Sequence, residues 1–314
     1  MQYRKLGRTG VEVSEIILGA WQFGKGAWAN IEDDESYRTI QAAIDAGINL
    51  IDTAVGYGGG YSEEIVARAV REHGGGTMLA SKVMGGPEAV KTGLDECLQR
   101  MQLECIDLYQ LHYPAPGIPI ADQVGAMAEI QQAGKIRWIG VSNFSLEQLQ
   151  EALATARIET SQPPYNVFWR QYEDDVIRFC AESEIAVIPY SPLAQGLLTG
   201  RFRSKADVPE DIRSHNKLMA PGILERCLPV IDRLDEVAKA HRRTLTQAAI
   251  AWTLQAPGIT APIVGARRPS QLEENLGGVG WQLSDEEWQE ISEAGKEING
   301  LLDFSSNMWG WAPG

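Results

Sequence analysis

The sequence predicts an α/β protein: a (β/α)8 TIM barrel with an N-terminal β-hairpin cap and a C-terminal active-site loop. Three observations carry this. Short apolar runs alternate with longer amphipathic ones along the chain, about eight times. Strand, crossover helix and strand in repetition require a parallel sheet. The repetition shows no obvious reversal, which favours a closed barrel over a doubly wound sheet. The 314 residues suffice for one such unit, expected to span 1–314 as a single domain.

Residues 3–14 alternate around Gly7 and Gly10 and read as the hairpin. The barrel strands are predicted at 15–19, 48–53, 78–83, 106–112, 136–142, 159–163, 185–190 and 261–265. Helices are predicted at 33–46, 62–72, 87–101, 120–133, 146–156 and 173–183, with one long helical run over 228–255. Glycines at 47 and 134 supply the left-handed residue that ends a helix. Ser145, with Gln148 three residues on, forms a capping-box pattern. Two segments leave the alternation. Residues 195–228 form a long connection rich in Gly and Pro, where a functional loop is expected. The tail 300–314 carries Phe304, Trp309 and Trp311 and is expected to fold back over the barrel mouth.

Composition narrows the function. Hydrophobic residues make up 44% of the chain, enough for a sizeable core. Acidic residues outnumber basic ones 42 to 28, for a formal charge of -14. Such a surface repels nucleic-acid phosphates and anionic membranes, so neither is expected as a partner. The four cysteines form no CxxC pair, and Cys97 and Cys180 fall inside helical patterns as buried thiols. No disulfide framework or metal site is expected. The N-terminus lacks an apolar signal core, and no apolar run reaches the roughly 18 residues that span a membrane. A cytoplasmic setting is the expectation.

In a barrel of this kind the active site forms at the C-terminal strand ends. There the predicted strands deliver Trp21, Asp52 with Tyr57 in the next loop, Lys82, His112, Ser142 with Asn143, Gln162, Tyr190 with Ser191, and Gly265 with Arg267. Taken singly, each has a plain explanation as a turn residue, a cap or a satisfied structural histidine. Lys82 is the odd one, because a charge in a buried strand is costly unless paired. An acid, a phenol, an ammonium and an imidazole at one end of three consecutive strands make one chemical device. A phenol has a pKa of about 10 and is a poor acid at neutral pH. A nearby ammonium stabilises its phenolate, and a carboxylate keeps that ammonium charged. His112 can bond a substrate oxygen or assist proton transfer. A second reading makes Lys82 a Schiff-base lysine, which leaves the phenol unexplained. Gly56-Tyr57-Gly58-Gly59-Gly60-Tyr61 fails the dinucleotide fingerprint because Tyr61 takes the third glycine position.

The segments Asp52-Thr53-Ala54, Gly56-Tyr57-Gly58 and Ser62-Glu63-Glu64 resemble the signature of the aldo-keto reductases. Ala80-Ser81-Lys82-Val83, the run ending in His112, Gly140 to Phe144, Tyr190 to Leu193, and Gly265 to Arg267 with Glu274-Asn275 are similar to the same family. The likeness runs to about Ala294 and lies nearest the subgroup of bacterial general-stress reductases and potassium-channel β subunits.

The resemblance implies an oxidoreductase that exchanges a hydride between nicotinamide and a small carbonyl or alcohol. Asp52, Tyr57, Lys82 and His112 would be catalytic. Ser142, Asn143 and Gln162 would hold the carboxamide, with Trp21 nearby and Tyr190 stacked on the ring. Ser191, Pro192, Leu193, Gln195, Gly196, Leu198 and Arg201 would follow the pyrophosphate. Gly265, Arg267, Gln271, Glu274 and Asn275 would hold the adenosine end. Leu197 and Leu198 read equally well as packing residues. Arg267 and Arg268 favour NADP, NADPH when reduced, over NAD, because a guanidinium forms bidentate bonds to phosphate. The substrate wall is expected from Trp21, Tyr57, His112 and Tyr113, with Trp169 as a further candidate and Arg170 as the anion anchor. Aromatic walls suit small neutral aldehydes, ketones or sugars. A cofactor-sensing regulatory subunit is the alternative function, and an oligomer is left open.

Overall fold

The computed structural model describes residues 1–26, 28 and 31–311. Strands β1 (Tyr3–Lys5) and β2 (Glu12–Ser14) pair antiparallel as the expected hairpin. Its turn seats on the N-terminal end of the barrel. A side chain at Gly7 would lie 2.8 Å from the Glu159 carbonyl, so only glycine fits there. Leu6 and Val13 plug that end and pack with Ile17, Leu50, Leu108 and Ile188.

Eight parallel strands follow among the described residues: β3 (Ile17–Gly19), β4 (Leu50–Asp52), β5 (Met78–Val83), β6 (Ile106–Leu111), β7 (Ile136–Ser142), β8 (Thr160–Gln162), β9 (Ala186–Val187) and β10 (Ile263–Gly265). They lie in chain order, with β10 against β3. Parallel bridges Val187↔Ile259 and Tyr190↔Ile263 close the remaining side. Their outward apolar residues pack against the surrounding helices in one large cluster that includes Ile51, Tyr109, Ile139, Leu94 and Trp252.

The helices are α1 (Asp33–Asp45), α2 (Tyr61–Glu72), α3 (Pro87–Met101), α4 (Ile120–Gln132), α5 (Leu146–Thr155), α6 (Arg178–Glu182), α7 (Leu224–Ala240), α8 (Leu245–Gln255), α9 (Pro269–Leu276) and α10 (Asp285–Asn299). Gly47 and Gly134 take φ of 88° and 76°, as expected after α1 and α4. Ser145 and Gln148 form the full capping box of α5. None of the described helices is long and apolar enough to cross a membrane.

Three expectations need correction. The helical run over 228–255 is two helices: Arg242 turns left-handed at φ 56°, and Thr244 caps α8 with a capping box of its own. The helix over 173–183 starts as a π-helical turn, Glu173–Ile177, and only then becomes α6. The seventh strand is regular over two residues, and Tyr190 joins the sheet only by bridges to Pro164 and Ile263.

Candidate active site

Asp52 ends β4, and the loop after it carries Tyr57. That loop is held by backbone contact. A Cβ on Gly58 would lie 1.8 Å from the Gly24 carbonyl oxygen, and one on Gly24 would lie 2.4 Å from the Tyr57 carbonyl carbon. On the far side of the loop, a Cβ on Gly60 would meet Arg100 at 2.5 Å. Arg100 is fixed in turn by the fully buried Glu63, at 2.8 Å. Ser62 accepts from Thr53 and donates to the Ala20 carbonyl, both at 2.8 Å, tying the first strand's end to the same loop.

Lys82 lies in β5, fully buried. Its three N–H bonds go to Asp52 Oδ2 at 2.6 Å, the Thr53 carbonyl at 2.8 Å and Tyr57 Oη at 3.1 Å. Burial alone would lower the Lys82 pKa, but Asp52 and Tyr57 raise it above the ordinary value. An amine held protonated with every hydrogen engaged is a poor Schiff-base nucleophile. His112 sits edge-on to Tyr57, ring centroids 6.0 Å apart. Burial, helped by the Lys82 charge, depresses His112 to about 3, so the imidazole is neutral near pH 7. Tyr57 corrects an expectation. Lys82 does favour its phenolate, but burial and the Asp52 charge outweigh that and raise the pKa above the ordinary value. The phenol therefore keeps its proton at neutral pH.

These groups open onto a cavity of about 1260 Å³. Its lining takes in Trp21, Asp52, Tyr57, His112, Tyr113, Asn143, Gln162 and Tyr190 at the reactive end. Along it lie Ser191, Pro192, Leu193, Gln195, Gly196 and Arg201, and at the far end Gly265, Arg267, Gln271, Glu274 and Asn275. Ser142 stands behind the wall, donating to the Gln162 carbonyl at 2.8 Å and accepting from Asn143 at 3.0 Å. Leu197 and Leu198 are fully buried core residues.

Residues 15–296 match the profile of the Aldo/keto reductase family. The chain belongs to that family. This aldo/keto reductase is similar to aldo-keto reductase YhdN of Bacillus subtilis, at 37% identity over 93% of each chain. It is 31% identical to the NADH-specific methylglyoxal reductase of Escherichia coli, over 89% of this chain and 94% of that one. In structure it resembles the glycerol dehydrogenase AKR11B4 of Gluconobacter oxydans, with a TM-score of 0.85 and 32% identity over 94% and 96% of the two chains.

The far end of the reductase's cavity fits an anion. Burial lowers the Arg267 pKa, the charges of Arg213, Arg268 and Arg201 lower it further, and Asp211, the partner of Arg213, acts in the opposite direction. Arg267 and Arg201 at the cavity wall, with Arg213 and Arg268 close by, suit a phosphate group. Gln271 accepts from the Arg267 backbone at 2.8 Å, and Asn275 donates to the Gly265 carbonyl at 3.2 Å, so α9 is bonded to the β10 end.

Two expected wall residues lie elsewhere. Arg170 is buried behind the barrel, bonded to the Ser292 carbonyl and paired with Glu173, so it is not an anion anchor at the mouth. Trp169 is fully buried, edge-on to Phe304. The tail docks as far as Trp311, and residues 312–314 lie outside the described residues. Trp309 lies edge-on to Trp21 and parallel to Tyr190, and Asn307 donates to Tyr113 Oη at 3.2 Å. Met308 is fully buried, and its carbonyl accepts from the Lys217 backbone at 2.8 Å. The tail and the long loop are thereby stapled together. Sequence reasoning missed Trp28 and Arg213, which meet across the cavity with the guanidinium 5.1 Å from the indole. It also missed Asn307, which no periodic pattern singles out, and Gln110, which lies inside the family-like run ending in His112.

Proposed function

We propose that this chain is an NADPH-dependent reductase of small oxygenated aldehydes and ketones, also able to oxidise the corresponding alcohols, with Tyr57 as the proton donor. The observation that carries the reading is Tyr57 Oη held 3.1 Å from the Lys82 ammonium at the cavity wall. When bound, the nicotinamide supplies or accepts the hydride. The protein's residues do the rest. Neutral His112 donates an N–H to the carbonyl oxygen and orients it. Tyr57 passes its proton to that oxygen as charge develops there. Lys82 then faces the phenolate left behind, and Asp52 keeps Lys82 charged throughout. Trp21, Tyr113 and Trp309 wall out water.

Asn143 and Gln162, with Ser142 behind them, would hold the carboxamide, and Tyr190 would lie against the ring. Ser191 to Gly196 and Arg201 would follow the pyrophosphate, with Gln271, Glu274 and Asn275 around the adenosine. The similar Escherichia coli protein is named for NADH, so membership of the family does not decide the cofactor. The arginines around Arg267 support NADPH here. The names of two similar proteins refer to methylglyoxal and glycerol, which supports small three-carbon substrates.

The test follows reduced-nicotinamide absorbance with NADPH and a panel of small aldehydes and ketones. Tyr57→Phe is expected to lower kcat by ~10²–10⁴-fold while NADPH still binds at wild-type concentrations. A Tyr57→Phe enzyme that turns over like wild type overturns the assignment.

A further inference from the structure

A layer of side-chain amides crosses the barrel interior beneath the catalytic groups. Gln110, in β6 two residues before His112, is fully buried. Its Nε2 donates to Asp52 Oδ1 at 3.2 Å, and its Oε1 accepts from Gln162 Nε2 at 3.2 Å. Gln162 Nε2 also donates to Asp52 Oδ1, at 3.0 Å. Asp52 Oδ2 is taken by Lys82. The carboxylate thus has a cation on one oxygen and two amides on the other. A carboxylate only accepts, so both amides must turn nitrogen toward it. This settles which atoms of Gln162 face inward.

The barrel makes room for this arrangement. Gln110 pairs in register with Gly140 of β7. A Cβ at Gly140 would stand 2.8 Å from Gln110 Cγ and 2.2 Å from Thr160 Oγ1. A barrel interior is ordinarily filled by branched apolar side chains. An amide opposite a glycine is a poor choice for packing, and burying it is costly unless its hydrogen bonds are made.

We propose that Gln110 is a positioning residue joining the proton-transfer side of the site to its carboxamide side: it steadies Asp52 Oδ1 and keeps the Gln162 NH2 turned inward, leaving Gln162 Oε1 to accept an amide N–H in the cavity. The inference rests on the nicotinamide reading above. An acceptor there selects a carboxamide NH2 over a ring substituent without N–H. On the other side, Tyr57 Oη is faced by Lys82 from β5, Asp52 from β4, and His112 and Tyr113 after β6. Removing the Gln110 donor leaves the Asp52 charge less shared, so the Tyr57 phenolate is disfavoured. Alcohol oxidation, which needs that phenolate as base, then requires a higher pH.

The experiment compares wild type with Gln110→Met, which keeps the length without polar atoms, and Gln110→Asn, which keeps the amide one methylene short. Tryptophan fluorescence titrations use NADP and its 3-acetylpyridine analogue, in which a methyl ketone replaces the carboxamide. Both variants are expected to lose about fivefold of the wild-type preference for the carboxamide. The acid limb of kcat for alcohol oxidation is expected to move up by about half a pH unit. If wild type binds NADP and both variants keep the preference and the limb, the Gln110 role is overturned and the nicotinamide reading stands. A lower kcat with both readouts unmoved marks a structural residue and overturns it equally. A wild type that binds neither NADP(H) nor NAD(H) overturns the nicotinamide reading itself.

Discussion

Replacing Lys82 by methionine separates two effects that the ammonium combines. At the 3.1 Å separation of Lys82 Nζ from Tyr57 Oη, and with an effective dielectric constant of ~20, a full phenolate charge gains about 5 kcal/mol from the cation. If about half of that charge has developed in the transition state, the loss is about 2.5 kcal/mol, or roughly a hundredfold in kcat. The substitution also strands Asp52, which is 2% exposed, without its cation. Stranding a buried charge costs about 3–5 kcal/mol of stability, a large share of a typical ~5–15 kcal/mol. The double variant Lys82→Met/Asp52→Asn removes the stranded charge. It should recover most of the urea midpoint lost by the single variant, while kcat stays below wild type in both directions because the Lys82 charge outweighs the opposing Asp52 charge at the phenol. Urea unfolding followed by circular dichroism reads the first quantity, and steady-state turnover reads the second. A double variant with wild-type kcat would refute the electrostatic role. A single variant with the wild-type midpoint would refute the buried pair.

Arg267→Ala should weaken NADPH by about tenfold to a hundredfold, the worth of a charge-assisted hydrogen bond, and leave NADH nearly unchanged; equal losses in the two titrations would remove the case for a phosphate there. Ending the chain after Leu302 removes Asn307, Trp309 and Trp311 from the cavity wall, and should raise KM for aldehydes by about tenfold, from two lost aromatic contacts; unchanged KM across the substrate panel would end the lid reading. His112 is depressed to about 3, so the unfolded chain binds the proton first and stability is lost as pH falls below the ordinary histidine range. Between pH 7.5 and 5 this site should cost about 2 kcal/mol, seen as a smaller loss in His112→Gln than in wild type by urea unfolding. Parallel losses in the two proteins would show that His112 is not held neutral.

The strand ends were legible because parallel strands must alternate with helices, and each strand then has one position where a polar side chain can face the site. Asp52, Lys82 and His112 stood out because charge and imidazole are costly inside an apolar run. Gln110 did not stand out, because an uncharged amide inside IDLYQL breaks the pattern only weakly, and its partners lie 58 and 52 residues away in the chain. The break between α7 and α8 was overlooked because the left-handed turn falls on Arg242 instead of a glycine, although the polar run His241 to Thr244 and the Thr244–Gln247 capping-box pattern mark it. Arg170 misled for the opposite reason. It follows a tryptophan near a strand end, but its charge is spent on Glu173 behind the barrel.

Gly24 and Gly58 meet backbone to backbone beside Tyr57. Both residues are already the smallest available, so neither can shrink to accommodate growth in the other. Laboratory evolution can therefore vary the aromatic rim to retune the substrate, but a library that varies either glycine will mostly lose the phenol's placement. Compensation for such a change would have to come from moving a whole loop, which is a far rarer event than a second point substitution.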